Sequence, residues 1–425
     1  MVIAKLYQLF LQHPGITTDT RKIIPGDIFF ALKGPNFNGN NFARQALNAG
    51  ADYVIVDDKM GFKDERIIET EDVLLTLQQL AKHHREQFKI PFIAITGSNG
   101  KTTTKELVNT VLSSTYITYT TQGNLNNHIG IPLTLLKIKN DAEIAVVEMG
   151  ANNPKEIEGY CEYVMPTHGL ITNFGKAHLE GFGSIEGVIK AKSELFNYIK
   201  TNNGTVFINA DDEAMIKMSE GIKNIITYGT STGYVKGKIS DSTSFLQISI
   251  YADNKIENIN TRLVGEYNLP NVLAAFTIGK YFNVPAGKIK NALEEYIPSN
   301  SRSQMIKQNT NTIILDAYNA NPASMKAAIE NFAKMEGDKK VLMLGGMMEL
   351  GKESTYEHEQ LLKLIDKYHW EKVVLVGSHF KDIDTNYIKF DTAAAAGKWL
   401  KEQGLTNTQI LIKGSRSMQM EKVLE

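Results

Sequence analysis

The sequence predicts an α/β protein of three domains with a parallel-sheet, phosphate-loop domain at its centre. Three observations carry this. Short apolar runs of strand length alternate with helix-patterned segments through the middle and the last third of the chain, as in parallel sheets covered by helices on both faces. Residues 96–102 read T-G-S-N-G-K-T between one such run and a helical stretch. A length of 425 residues exceeds what one hydrophobic core holds, which makes about three domains the expectation.

The first domain is expected over residues 1–88. Residues 27–32 (D-I-F-F-A-L) and 53–56 look like strands, residues 41–48 between them have helical character, and residues 73–88 read as a helix leading out, stopped by Pro91. The central domain is expected over 89–298. Its strands are 90–95, 144–147, 169–172 and 206–209, with a helix at 103–112 and an antiparallel excursion at 242–260. Polar residues close these strands: the glycine loop, Glu148, Asn173 and Asp211-Asp212. In open parallel sheets ligands gather beyond such carboxyl ends. Residues 298–303 (P-S-N-S-R-S) read as a linker, and a smaller Rossmann-like α/β domain follows over 299–425, with strands at 312–315, 341–344, 373–376 and 409–412.

Composition excludes several classes. A net charge of −1 argues against a broad nucleic-acid or membrane footprint. A single cysteine, Cys161, forbids an internal disulfide and a thiolate zinc site, and with no partner in Tyr160-Cys161-Glu162 it reads as structural. Residues 1–12 are mildly apolar but broken by Lys5, with Pro14-Gly15 rather than a cleavage site after them, and no run of eighteen apolar residues occurs. The expected location is the cytoplasm, and a monomer is expected.

The chemistry concentrates in a few stretches. Strand, glycine loop, Lys, Thr, helix is the layout of a phosphate cradle. Gly97, Ser98, Asn99 and Gly100 let backbone N–H groups face an anion, Lys101 reaches the outer phosphates, Thr102 offers a hydroxyl to Mg²⁺, and Thr103 opens the helix. Ile95 stands where the longer loop pattern has glycine, so this is the short G-x-x-G-K-T form. Glu148, on the strand end nearest in sequence to the phosphate loop, would complete a hard-oxygen metal site with Thr102; otherwise it faces water. His178, in N-F-G-K-A-H-L-E-G, is a candidate ligand or an ordinary hydrogen-bonded histidine. Asn124, Asn126 and Asn127 either bind a polar substrate or shape a turn. Asp316, Tyr318, Asn319 and Asn321 either meet a nucleotide or substrate or form an Asx turn ahead of Pro322. Spacing alone makes Lys192 a solvated helix-face lysine.

Taken together, T-G-S-N-G-K-T-T-T-K-E, E-M-G-A-N, G-N-L-N-N-H-I-G-I-P-L-T-L-L, D-A-Y-N-A-N-P-A-S-M and L-I-K-G-S-R-S-M resemble the ATP-dependent Mur ligases over nearly the whole chain, and T-D-T-R with F-F-A-L-K-G fits their uridine-nucleotide domain. The last three of the five resemble the member that joins D-alanyl-D-alanine to UDP-N-acetylmuramoyl-tripeptide. The resemblance implies a UDP-sugar domain, an ATP domain and a mobile C-terminal domain, with ATP and two Mg²⁺ ions. It implies that Thr102 and Glu148 lie at the first ion, that His178 binds the second, and that Lys192 takes up CO₂ to become an anionic carbamate. It implies Asn271 at the adenine, Arg302 and Asp316 at the nucleotide, and Thr20, Arg21, Lys33, Gly34 and Lys413 among the substrate-binding residues. Tyr267 stands where relatives often carry His beside the adenine, and Asn38 where many carry Asp in the uridine loop. The competing readings are a ligase that adds a single amino acid, such as the tripeptide-forming enzyme or a folylpolyglutamate synthase, and a nucleotide switch, which would need an N-K-x-D guanine reader that is absent from the sequence. The sequence leaves open which diamino acid stands third in the peptide.

Overall fold

Alternate residues of the phosphate-loop strand, Phe92–Thr96, enter different cores. Phe92 and Ala94 pack on one face with Ala145 and Val147; Ile93 and Ile95 pack on the other with Ile144 and Val146. A strand buried on both faces has no polar side to alternate with, which is why it reads as a continuous apolar run. The computed structural model describes residues 3–13, 15–253, 255–299 and 301–425. Met1, Val2, Pro14, Asn254 and Asn300 lie outside the described residues, so the readings at 1–12, Pro14-Gly15, 242–260 and 298–303 are covered only around them.

The central sheet has nine strands in the order Thr118–Thr120, Ile144–Glu148, Phe92–Thr96, His168–Ile171, Thr205–Asn209, Asn224–Gly229, Val235–Asp241, Gln247–Ala252 and Lys255–Asn260. The first seven run parallel, and the last two are added through antiparallel pairings. Chain order reverses at Phe92–Thr96, a topological switch point where a crevice opens. Register places Ile95 beside Glu148 and Thr96 beside Ile171. Helices Lys101–Ser113, Leu269–Tyr281 and Ala286–Glu295 cover one face; Val73–Arg85, Gly130–Leu135, Glu156–Val164 and Ile185–Thr201 cover the other.

The N-terminal sheet, Ile16–Thr17, Ile28–Phe30, Tyr53–Val56 and Ile67–Glu69, is parallel and shares its core with the central unit through Leu77, Leu80 and Ala81. His84 and Arg85 tie this junction. Tyr7 Oη lies 3.1 Å from His84 Nδ1, and Arg85 donates to the carbonyls of Val164, Met165 and Phe88, each at 2.8 Å, while lying over the Phe92 ring. The C-terminal sheet runs Gln304–Gln308, Asn311–Asp316, Gln409–Lys413, Lys340–Gly345, Lys372–Val376 and Ile388–Phe390, antiparallel only at its first pair. Register sets Asp316 beside Lys413 at its carboxyl edge.

Several expectations shift. The run at 27–32 forms a strand only over Ile28–Phe30, and the helix from Val73 stops at Arg85. Strand Asn224–Gly229 and the short strands Ile16–Thr17, Ile67–Glu69, Gln304–Gln308 and Ile388–Phe390 carry no strand pattern in the sequence, whereas Thr118–Thr120 forms where a strand is expected ahead of Gly123. Asp211 and Asp212 serve local structure: Asp211 accepts from Thr230 N–H, and Asp212 caps helix Glu213–Met218. Cys161 is buried and burial pushes its thiol up, as a structural cysteine requires. No helix among the described residues is long and apolar enough to cross a membrane.

His168 opens its strand packed against Phe207, Tyr281 and Phe282, and burial pushes it down to about 4. Below pH ~6.5 the unfolded chain takes a proton here that the folded chain refuses until about pH 4. Stability from this site is therefore present at neutral pH and lost on acidification, by up to ~3 kcal/mol. His168→Gln should flatten the fall in thermal midpoint between pH 6.5 and 4; an unchanged acid limb counts against this assignment.

Candidate active site

The phosphate loop is held open by contacts that only glycine permits. Gly97 has φ +139°, and a Cβ there would stand 2.0 Å from Thr172 Oγ1; Gly100 has φ +78°, with Asn271 Oδ1 2.8 Å from its would-be Cβ. The next strand fixes the loop: Ser98 N–H donates to the Asn173 carbonyl, Asn99 N–H donates to Asn173 Oδ1, and Thr172 Oγ1 and Asn173 Nδ2 donate to the Asn99 carbonyl. Ser98 Oγ closes a two-way contact with Gly175. Lys101 Nζ is turned back on its own loop, donating to the carbonyls of Gly97 (2.7 Å) and Ser98 (3.2 Å). Burial pushes its ammonium down, against the pull of Glu148 and with the repulsion of Arg302.

Glu148 does not face water. It is 1% exposed; one carboxylate oxygen accepts from Thr102 Oγ1 (3.0 Å) and Asn126 Nδ2 (2.7 Å), and the other, also buried, has no partner. Its N–H donates to Thr121 Oγ1, whose backbone carbonyl in turn accepts from the buried Lys105. A buried carboxylate with a spare oxygen beside a threonine hydroxyl is a donor set that suits a hard cation. Among the described residues no group of three or more His, Cys, Asp or Glu side chains stands ready to hold a metal.

Loop 123–130 serves both readings. Asn127 Oδ1 caps the next helix through the N–H groups of Ile129 and Gly130, whereas Asn126 reaches Glu148. Asn124, Asn126 and Asn127 all line one cavity of about 730 Å³ with Ser98–Thr103, Glu148, His178, Asn271, Arg302, Asp316, Tyr318, Asn319, Asn321, Glu349 and Lys413. Asn271 is buried, accepting from Thr104 Oγ1 and donating to Asn268 Oδ1. Tyr267 also lines the cavity, its hydroxyl 3.0 Å from Ser303 Oγ.

The far wall comes from the C-terminal unit. Asp316 accepts from Ser303 N–H and pairs with buried Lys413 at 2.5 Å; Lys413 also donates to the Asn319 carbonyl. Arg302 stacks over Tyr318 at 3.6 Å, its Nε buried without a partner. Asn321 caps helix Pro322–Lys334 through a reciprocal box with Ser324, as an Asx turn before proline implies, and its Nδ2 also crosses to Asn99 Oδ1 at 2.7 Å. His178 Nδ1 meets the Glu349 carboxylate, and Lys176 pairs with Glu357 at 2.7 Å. Spacing did not single out Glu349; its signal is a glycine-flanked acid, G-G-M-M-E-L-G, after strand Lys340–Gly345.

The solvated reading of Lys192 is overturned. It is 1% exposed on helix Ile185–Thr201, behind the cavity wall, where Nζ donates to the Ala151 carbonyl (3.2 Å) and lies 5.4 Å from the Phe182 ring. Burial first, then Lys101, push it down to about 7. Four further candidates lie away from this cavity, in the N-terminal unit. Thr20 opens a short 3₁₀ turn, Arg21 is exposed and paired with Asp19, Lys33 pairs with Asp57 (2.9 Å) and Asp58 (2.7 Å), and Gly34 has open space around it. Asn38 joins Lys33's partners, donating to Asp58.

Comparison with known proteins matches this layout. The Mur ligase family, catalytic domain matches residues 13–85, the Mur ligase middle domain 95–279, and the Mur ligase, glutamate ligase domain 301–416. The UDP-N-acetylmuramoyl-tripeptide–D-alanyl-D-alanine ligase of Bacillus subtilis is 35% identical over 97% of this chain and 92% of its own. The crystal structure of MurF from Acinetobacter baumannii superposes with a TM-score of 0.89 at 31% identity, covering 99% of this chain and 97% of that one. MurF ligase from Thermotoga maritima, solved in complex with ADP, gives 0.86 at 27% identity over 98% and 97%. The chain belongs to the Mur ligase family.

Proposed function

We propose that the chain is an ATP-dependent ligase joining D-alanyl-D-alanine to the terminal carboxylate of UDP-N-acetylmuramoyl-tripeptide, in peptidoglycan precursor synthesis. The carrying observation is the single cavity in which the phosphate loop, the under-partnered Glu148 and the C-terminal residues Asn319, Asn321 and Lys413 converge. The full-length relatives supply the substrates. A diaminopimelate ligase, a folylpolyglutamate synthase and an alanine ligase of known structure share the fold at 20%, 13% and 17% identity.

Amide formation from a carboxylate needs a leaving group, which the γ-phosphoryl of ATP provides as an acyl phosphate; the dipeptide amine displaces it as orthophosphate. In this reading the loop amides around Gly100 hold the phosphates, and Lys101 exchanges the Gly97 and Ser98 carbonyls for phosphate oxygens. Asn271 and Tyr267 border the adenine, and Arg302 and Asp316 the rest of the nucleotide. Glu148 and Thr102 would hold one Mg²⁺, and His178 with a carbamylated Lys192 would hold a second; each ion would supply positive charge beside the phosphates. Bound Mg²⁺ would offset the repulsion between phosphate and carboxylate. Asn124, Asn126, Asn127, Tyr318, Asn319, Asn321 and Lys413 would position the two peptide substrates, and the N-terminal unit with Thr20, Arg21, Lys33 and Gly34 the UDP end. The contacts Asn321–Asn99 and Lys176–Glu357 close the C-terminal unit over the site and keep water from the acyl phosphate.

Purified protein with ATP, Mg²⁺, D-alanyl-D-alanine and each UDP-tripeptide, read by mass spectrometry, should give the joined product and one ADP and one phosphate per amide. Product formed only with free amino acids, or ATP hydrolysis without amide, overturns the reading.

A further inference from the structure

His178 and Glu349 face each other across the two units, and both are non-glycine residues with left-handed backbones, φ +53° and +61°. That conformation is uncommon outside glycine and persists where the surroundings impose it. Here they do so from both sides. Behind Glu349, Met347 N–H donates to Nε2 of the fully buried His358 (3.0 Å) and Met348 N–H to Ser415 Oγ (2.9 Å). In front, Glu180 N–H donates to the Glu349 carbonyl (3.3 Å), and Gly351 packs against the Glu180 backbone. The backbone therefore delivers the carboxylate to the imidazole; it is not a chance swing of a surface side chain. His178 Nδ1 has no other partner among the described residues.

We propose that Glu349 is a positioning residue for His178: docking of the C-terminal unit brings its carboxylate to Nδ1, fixes the tautomer with the proton on that nitrogen, and leaves Nε2 to a divalent cation. This rests on the ligase reading above. Carboxylate–imidazole pairs of this kind orient metal-binding histidines and raise their basicity. The consequence is a coupling: the second cation site is complete only when the two units are closed, so cation and closure favour each other.

The test uses the full chain with a non-hydrolysable ATP analogue. Mn²⁺ is titrated by electron paramagnetic resonance, and closure is followed by small-angle X-ray scattering. Glu349 is 48% exposed, so its truncation leaves the cores untouched. Glu349→Ala should weaken the weaker class of Mn²⁺ sites ~10–100-fold and spare the tighter class. Glu349→Gln, which keeps an acceptor oxygen, should lose less. Glu357→Gln breaks a neighbouring ion pair across the same interface; acting only through closure, it should spare the tighter class and weaken the weaker class by much less than Glu349→Ala does. If Glu357→Gln weakens Mn²⁺ as much as Glu349→Ala does, or Glu349→Ala binds Mn²⁺ as wild type does, the inference falls while the ligase reading stands. If wild type binds no nucleotide-dependent Mn²⁺, both fall.

Discussion

Lys101→Ala abolishes amide formation and leaves the protein at least as stable as before. The expected loss in kcat is on the order of 10³-fold or more, the scale for removing a preorganised charge aimed at developing negative charge. The stability half of this result follows from its surroundings. Among the described residues the ammonium's hydrogen bonds go to the carbonyls of Gly97 and Ser98, and burial with Arg302 nearby works against its charge. Removing it relieves that penalty, and water entering from the cavity can satisfy the two carbonyls. A residue that costs stability where it sits and faces a phosphate-shaped loop is held there for its charge, not for packing. Turnover and the calorimetric midpoint should be measured on the same preparation. Turnover near wild type removes Lys101 from the chemistry; a collapsed midpoint makes it a structural residue instead.

What the sequence disclosed, and what it withheld, follows from the range of the interactions concerned. The strand-end reading placed Glu148 and the glycine loop side by side because two adjacent parallel strands, each a continuous apolar run, must end at the same edge. The edge strands Ile16–Thr17, Ile67–Glu69, Gln304–Gln308 and Ile388–Phe390 are short or half polar, so no periodicity marks them. Asn321 satisfies both of its readings at once: the helix cap is local and visible, and the reach to Asn99 is not. Spacing misjudged Lys192 because its burial is decided by the Ala151 carbonyl and the Phe182 ring, which come from other elements. Glu349 escaped notice for the same reason, since its meaning lies in a histidine on another unit.

Lys192 gives the second large effect, and it separates activity from stability in the opposite sense from an ordinary core residue. Its folded-state pKa is pushed down to about 7, against ~10.4 for a free lysine. Between those values the unfolded chain binds more protons than the folded one, so stability at this site rises with pH from about 7 toward 10 and is lowest below 7. Lys192→Met should therefore be more stable than wild type at pH 7, with the gap closing by about pH 10. Lys192→Arg, whose charge cannot be shed, should be less stable throughout. The same depressed value leaves much of the amine neutral near pH 7 to 8, and a neutral amine can add CO₂, releasing one proton and becoming a carbamate anion. If that anion is the working form, Lys192→Ala should lose on the order of 10²–10³-fold in kcat, the several kcal/mol a metal site supplies. Formate or acetate should restore part of it by occupying the vacated space, while Lys192→Arg, which fills that space with a cation, should not respond. Full turnover of Lys192→Ala without added carboxylate would falsify the carbamate and return Lys192 to a structural role; a stability gap that persists at pH 10 would instead refute the depressed pKa.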